Sequence, residues 1–192
     1  MIIPAATLLA WYREGIFPMG DPDTGDITLH APDPRAIIDL DDFHIPETLR
    51  KTIRSGRFEI RIDTAFKEVI SLCARNGDTW IIDVIRDSYI ALHRRGHAHS
   101  VEAWRDGTLA GGLYGVAIGG AFFGESMFHL DRDASKTALC ALVERMRARG
   151  MTLLDTQYLT PHLARFGARE IRRSEYEALL RVAVALPVSF FP

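Results

Sequence analysis

No apolar run in the sequence approaches the roughly 20 residues a membrane-crossing helix needs, so no membrane partner is expected. The N-terminal stretch MIIPAATLLAWYREG lacks a basic leader segment and a cleavage site, which predicts a cytoplasmic protein without a signal peptide. Cysteine is scarce. Cys73 and Cys140 lie far apart in apolar helical settings, which predicts two buried, reduced thiols and no disulfide. Neither sign of charge dominates: 23 Lys and Arg against 25 Asp and Glu leave a net charge of −2. That excludes indiscriminate coating of nucleic acid but leaves room for a local basic face. Several catalytic signatures are also missing. There is no HExxH or CxxC to accompany the H-x-H of His97 and His99, so no metal is expected. The glycines of GGLYGVAIGG carry no Walker lysine, and Ser126 in GESMF lacks the full G-x-S-x-G elbow of a serine nucleophile.

What is present is ordinary in composition, 47% hydrophobic and 25% charged, with no internal repeat. Residues 1–42 read as a small N-terminal lobe. ATLLAWYREG predicts one short helix ending at Gly15, and Pro18, Pro22, Pro32 and Pro34 then punctuate a loop-rich segment. Residues 43–192 are more regular. Asp63 is expected to cap a helix carrying Phe66, Val69, Ile70 and Cys73, and Asp83 to open another with Val84, Ile85, Tyr89 and Leu92 inward. Asp106-Gly107 and Gly119-Gly120 mark two-residue hairpin turns of a β-meander. A helix over 134–149, the strand LLDTQYL, a short helix from Pro161 and a last helix after Ser174 complete the chain. This order predicts an α+β fold, a mainly antiparallel sheet with flanking helices, compatible with the acyltransferase fold of the GNAT enzymes. The closing VAVALPVSFFP is expected only to pack against it.

Three stretches could carry chemistry. In LLDTQYL, strand alternation puts Asp155 and Gln157 on one face of a segment that should be interior, where each needs a partner. In AFFGESMF, alternation puts Glu125 and Met127 together, so a second acid sits among apolar neighbours. Both acids could be structural, or they could surround an amine or cation. RKTIRSGRFEIR gathers Arg50, Lys51, Arg54, Arg57 and Arg61 against Glu59 alone, either a solvated face or a phosphate-binding one.

These residues also carry a resemblance. GGLYGVAIGGAFFGESMF, ASKTAL, LLDTQYLT, HLARFGAREI and RSEYEALL, in that order, resemble the leucyl/phenylalanyl-tRNA–protein transferase family. Upstream YREGIFPM, PDPRAII, LRKTIRSGRF, the DTW of Asp78 to Trp80 and GHAHSVEAW fit the same pattern, from about Leu8 to Leu180. The resemblance implies a GNAT-like catalytic domain behind a small N-terminal domain. It also implies transfer of Leu or Phe, with Met a further donor left open, from aminoacyl-tRNA to proteins beginning with Lys or Arg, marking them for N-degron degradation. The partners are then the tRNA 3′ end and acceptor stem and a protein N-terminus, handled by a monomer. An ester already activated by tRNA needs no cofactor to undergo aminolysis, and positioning can supply on the order of 7–11 kcal/mol of the barrier.

By the same resemblance, Gln157 accepts a hydrogen bond from the incoming amine and Asp155 polarises it, while Glu125 favours a cationic first residue. Leu113, Phe122, Ser126, Met127, Leu139 and Leu154 would line the substrate pocket. Trp80 would stack the terminal adenosine, and Arg50, Lys51, Arg54, Arg57 and Arg61 would track tRNA phosphates. The chain departs from the family in starting almost at its first helix and in having Leu29-His30 where many members carry paired tryptophans. Two other readings belong beside this one. A coenzyme-A-dependent acetyltransferase would need a pyrophosphate-binding turn between Met127 and Thr137, where none is found. A non-catalytic adaptor for peptide N-termini would keep the acidic pocket without needing the D-x-Q pair.

Overall fold

The computed structural model describes residues 2–75 and 79–191. Helix α1 (Ala5–Arg13) leads into a hairpin of β1 (Phe17–Gly20) and β2 (Ile27–His30), followed by β3 (Arg35–Ile38), α2 (Glu47–Arg54) and β4 (Glu59–Ile62). Helices α3 (Phe66–Cys73) and α4 (Asp83–His93) precede the meander β5 (Ala98–Arg105), β6 (Thr108–Ile118) and β7 (Ala121–His129). Then come α5 (Ala134–Ala148), β8 (Leu153–Gln157), the single turn α6 (Pro161–Ala164), β9 (Ala168–Ile171) and α7 (Arg173–Val184).

Turn chemistry sets the meander. Asp106 and Gly107 both take positive φ, as a type I′ hairpin turn requires, and Gly119 does so in the next turn. The sheet runs β4-β5-β6-β7-β8-β3-β9 and is antiparallel throughout except where β7 and β8 pair in parallel across α5. Alternation along the strands feeds two cores. Phe123 and Leu153 face α1, α3, α4 and α7, while Phe122 and Leu154 face α2 and α5. On α5 the stripe Ala138, Leu139, Leu142, Val143 and Met146 is buried, and Gly150 ends the run at positive φ.

The α+β expectation and both hairpin turns hold, and both cysteines are free and buried. Three details differ. The strand β3 lies between β8 and β9 in the main sheet, so a lobe of residues 1–42 does not end where the sheet begins. Asp63 does not cap α3, whose cap position is Ala65; at positive φ it accepts from Ser100 N and His99 Nδ1 instead. Ser174 falls inside α7, which starts one residue earlier. The C-terminal tail does pack: Phe190 is buried, and Arg145 and Arg149 hold the carbonyls of Phe190, Ser189 and Phe191.

Candidate active site

Strands β7 and β8 pair only through Ala121–Phe123 and Leu153–Asp155. Just beyond, each carries an irregularity against its other neighbour. On β7, Ser126 faces Tyr114 and Gly124 faces Gly115, leaving Glu125 as the extra residue. On β8, Gln157 faces Ala36 and Asp155 faces Ile37, leaving Thr156 extra. Bulges of this kind bend a strand and re-aim side chains. Gly115 is required at the first of them, because a Cβ there would collide with the Phe123 carbonyl oxygen and the Phe122 ring. The sheet therefore splits at the end of its one parallel pair, and the re-aimed residues are Glu125 and Thr156.

Asp155 is 0% exposed and fully partnered. Arg35 grips it through Nε at 3.0 Å and Nη2 at 2.7 Å, and Tyr176 donates its hydroxyl at 2.6 Å. The guanidinium lies over the rings of Phe17 and Tyr176, at 5.0 and 4.7 Å, and also donates to the Gly15 carbonyl. The remaining donor to Asp155 Oδ1 is the backbone N–H of Gln157, at 2.8 Å. That bond holds Gln157 at a φ of 65°, a left-handed conformation uncommon for this residue type. The acid and the amide are thus joined through backbone, not side chain to side chain. With a bulge between them, simple alternation no longer describes the pair. The structure makes Asp155 the anchor that sets where Gln157 points.

Gln157 points at Glu125. Its amide nitrogen donates to Oε1 at 2.9 Å, while its amide oxygen accepts no hydrogen bond among the described residues. Tyr12 donates to Glu125 Oε1 at 2.6 Å and Tyr89 to Oε2 at 3.3 Å, and these two hydroxyls also contact each other closely. Burial is the main force on the Glu125 carboxyl, pushing it up to about 7; Asp155 adds to this, and the tyrosine hydroxyls and Arg35 oppose it. Burial likewise holds both tyrosines well above their ordinary value, so they serve as donors.

Glu125 opens onto a pocket of about 100 Å³, walled by Leu113, Met127, Leu139, Leu142, Leu154 and Leu163. An apolar cavity of about 150 Å³ takes benzene, so this one suits a small apolar side chain. Of the residues expected to line it, Leu113, Glu125, Ser126, Met127, Leu139 and Leu154 do so. Phe122 does not. It lies on the same side of the sheet as Leu154 but is fully buried in the α5-side core, against Phe190 at 5.2 Å, and so stays behind the lining. Trp80 is also absent from the lining: its carbonyl accepts from Gly20 N, three residues along β1 from Phe17, and its half-buried ring packs on the α1-side core. Asp78, the start of the DTW motif, lies outside the described residues. At the position of the family's tryptophans, the His30 ring stacks on Phe17 at 5.8 Å, and Tyr158, 45% exposed, stands edge-on to Phe17. Aromatic surface is thus retained beside Gln157.

Two residues of the pocket wall, Tyr114 and Thr156, carry hydroxyls buried with no partner among the described residues, and the Tyr114 ring packs edge-on to Phe66 and Tyr89 in the α1-side core. A shielded hydroxyl without a partner costs about 1–3 kcal/mol. Sequence reasoning passed over Thr156, Tyr12, Tyr89, Tyr176 and Arg35. Arg35 stood in PDPRAII as a motif letter and Tyr89 as an inward core residue, and neither spacing signals a polar contact across the sheet.

Arg50, Lys51, Arg54 and Arg57 are exposed, on or just after α2, which packs on the α5 helix that walls the pocket. Arg61 differs: it pairs with Glu59 at 2.8 Å and lies over Trp104, which leaves it a poor partner for phosphate. His97 and His99 do not come together as a metal pair, since His99 Nδ1 goes to Asp63 at 2.7 Å. Among the described residues no three metal-binding side chains cluster, and no helix is long and apolar enough to cross a membrane.

A family model described as leucyl/phenylalanyl-tRNA protein transferase matches residues 37–181. A relative of that name from Herpetosiphon aurantiacus is 55% identical over 184 residues, covering 95% of both chains. Another from Salinibacter ruber is 52% identical over 185 residues, covering 96% of this chain and 82% of the other. Among solved structures, a GCN5-related glucosamine N-acetyltransferase region of a fungal β-N-acetylglucosaminidase aligns with 87% of this chain and 22% of that one. Its TM-score is 0.51 and its identity 11%, a likeness of fold alone.

Proposed function

Because the chain belongs to the leucyl/phenylalanyl-tRNA–protein transferase family, we propose that it transfers leucine or phenylalanine from tRNA to proteins whose first residue is lysine or arginine. The observation that carries this reading is the junction of an apolar pocket with Glu125 at the one point where the sheet splits. A leucine side chain suits the size of the leucine-rich pocket, and a phenylalanine ring would need its adaptable wall residue Met127 to shift. The acceptor's cationic side chain suits the buried Glu125 carboxylate, which among the described residues has hydroxyl and amide donors but no cation bound to it.

The attacking α-amine has an ordinary pKa of about 7.7–8.0, so a useful fraction is neutral near pH 7. The free amide oxygen of Gln157 accepts one of its hydrogens and orients the lone pair. Nitrogen attacks the ester carbonyl carbon, the carbonyl oxygen takes negative charge, and Thr156 Oγ1, which has no partner among the described residues, is the hydroxyl we assign to donate to it. As the carbon–oxygen bond to the ribose breaks, the amine's proton passes to the leaving hydroxyl. The products are a peptide bond and deacylated tRNA. Since the ester arrives activated, the reaction calls for neither metal nor cofactor. Base stacking by the His30–Tyr158 surface or by Trp80, and phosphate contacts from Arg50, Lys51, Arg54 and Arg57, would hold the tRNA end. The modified protein would enter an N-degron pathway, and the use of aminoacyl-tRNA fits a cytoplasmic enzyme acting as a monomer.

The test is direct. The protein is incubated with radiolabelled Leu-tRNA or Phe-tRNA and a model protein starting with Arg, and label is sought in protein. Transfer that depends on the first residue being Lys or Arg is the expected result. Failure of any N-terminus to take up label from either tRNA would remove the reading.

A further inference from the structure

Two motif residues have no part in the chemistry above: Lys136 of ASKTAL and His162, which precedes LARFG. They meet across a second cavity of about 510 Å³, which also takes in His129 and Arg132. Met127 lines both this cavity and the apolar pocket, so the two share a wall. The ring of His162 rests edge-on to Phe166 at 5.5 Å, yet its Nε2 is shielded from solvent and has no partner among the described residues. Burial, then Lys136, Arg165 and His129, all push this imidazole's pKa down. The local field is positive and holds an unanswered ring nitrogen. The one acid in the wall, Asp133, is engaged by Lys136 at 2.8 Å and lies 3.8 Å from Arg132.

We propose that this cavity is a phosphate subsite, taking the phosphodiester on the 5′ side of the aminoacylated terminal nucleoside of the tRNA. The proposal rests on the transferase reading and deepens it. Three points carry it. The aminoacyl ester is a few bonds from that phosphate through one ribose, so the phosphate must lie close to the aminoacyl pocket, and this cavity adjoins it. Arg132, the imidazole N–H donors and Lys136, whose ammonium gives one of its three N–H donors to Asp133 whereas Arg61 gives two guanidinium nitrogens to Glu59, match a phosphate diester, with charge-assisted bonds at short range. The exposed basic face also leads here, since Arg57 reaches Asp131, next to Arg132, at 3.9 Å. An acceptor protein beginning with lysine or arginine would be repelled by the same wall.

The experiment compares two minimal donors, leucyl-adenosine without a 5′-phosphate and the leucylated dinucleotide CpA, in transfer to an Arg-initiated peptide. The wild type should prefer the dinucleotide by roughly tenfold or more in kcat/KM, the scale of one or two charge-assisted hydrogen bonds. His162→Phe keeps the ring contact with Phe166 and Lys136→Met keeps the aliphatic stem. Either substitution should collapse that preference toward one. Far-ultraviolet circular dichroism and melting temperature identify a variant that has merely lost its fold, and the other variant then decides the matter. No wild-type preference for the dinucleotide, or a preference that both folded variants retain, overturns the subsite. So does a loss that follows an acidic second residue in the acceptor instead of the donor phosphate, or competition by coenzyme A as strong as by CpA. A wild type that uses neither donor, nor full-length charged tRNA, sinks the transferase reading itself.

Discussion

Two acids sit on neighbouring strands, both nearly sealed from solvent, and they are built differently. Asp155 on β8 is locked to a guanidinium that is itself sandwiched between two rings. Glu125 on β7 is held only by two tyrosine hydroxyls and an amide, and it borders a cavity. A carboxylate matched to a fixed cation has no charge left to offer a ligand. One held by neutral donors keeps its negative charge available, at the cost of a raised pKa. The first arrangement fixes geometry and the second meets substrate, although the sequence presents both as an acid in an apolar strand.

The largest effect should come from breaking the first. Asp155→Ala leaves Arg35 buried without its counterion, which costs about 3–5 kcal/mol. Urea denaturation should show a drop of that size and activity should vanish with it. The sharper experiment removes both partners, Arg35→Met with Asp155→Leu. Much of the stability should return, because a buried ion pair is often replaced by apolar groups at little cost. Activity should stay low, because the Gln157 N–H is then without the acceptor that sets its conformation. If the doubly substituted protein transfers normally, Asp155 has no positioning role.

Glu125→Gln tests the second acid and should do the reverse, sparing the fold and impairing turnover. With Arg-initiated acceptors a loss of roughly a hundredfold in kcat/KM is expected, the scale of removing one charge from a desolvated pair. The pH dependence has a definite sign. The folded carboxyl is raised from 4.5 to about 7, so between those values the native state keeps a proton that the unfolded chain has released. Stability contributed by this group therefore falls as pH climbs from about 4.5 and levels off above about 7. Melting temperature measured across that window should lose this component in the Gln variant. A wild-type profile that rises through the same window would remove the raised carboxyl from the account.

The difference between the acids was only partly legible. The two strands and their acids follow from alternation, whereas Leu113, Met127, Leu139 and Leu154 at the pocket follow only from the family resemblance, since their periodicity alone reads as core. What alternation cannot carry is a bulge. One extra residue at Glu125 and one at Thr156 change which side chains share a face: Met127 comes to the Phe122 side of β7, although alternation sets the two on opposite faces, and Thr156 joins the pocket wall. Arg35, Tyr12, Tyr89 and Tyr176 were missed for another reason. Each lies 21 or more residues from the acid it serves, and the contacts exist only once α1, α4, α7 and β3 have assembled around the split. Arg61 shows the converse error: a charge counted with its neighbours in sequence is spent locally on Glu59.

A smaller effect should follow from Thr156→Val, which keeps shape and removes the hydroxyl. Because the hydroxyl has no partner among the described residues, its removal should leave stability level or slightly raised. If the hydroxyl meets the developing oxyanion, kcat should fall by roughly tenfold to a hundredfold with KM little changed, and Thr156→Ser should restore most of it. A rise in KM alone would make Thr156 a binding contact, and no change in either constant would leave it as wall.

The smallest effect per residue belongs to the exposed basic face, and it separates surface charge from the buried acids by its salt dependence. Arg54→Glu and Arg57→Glu should each weaken tRNA binding and reduce the slope of log affinity against log salt by roughly one, as expected when one fewer phosphate is neutralised. The effect should be plain at low ionic strength and fade as screening shortens. Arg61→Glu should alter the slope less, because its guanidinium is already committed to Glu59 and Trp104. The Glu125 variant should leave the tRNA slope untouched while impairing transfer. Equal slopes for all three arginine variants would mean that the local pairing of Arg61 gives way to phosphate, and that the division of labour within this segment is wrong.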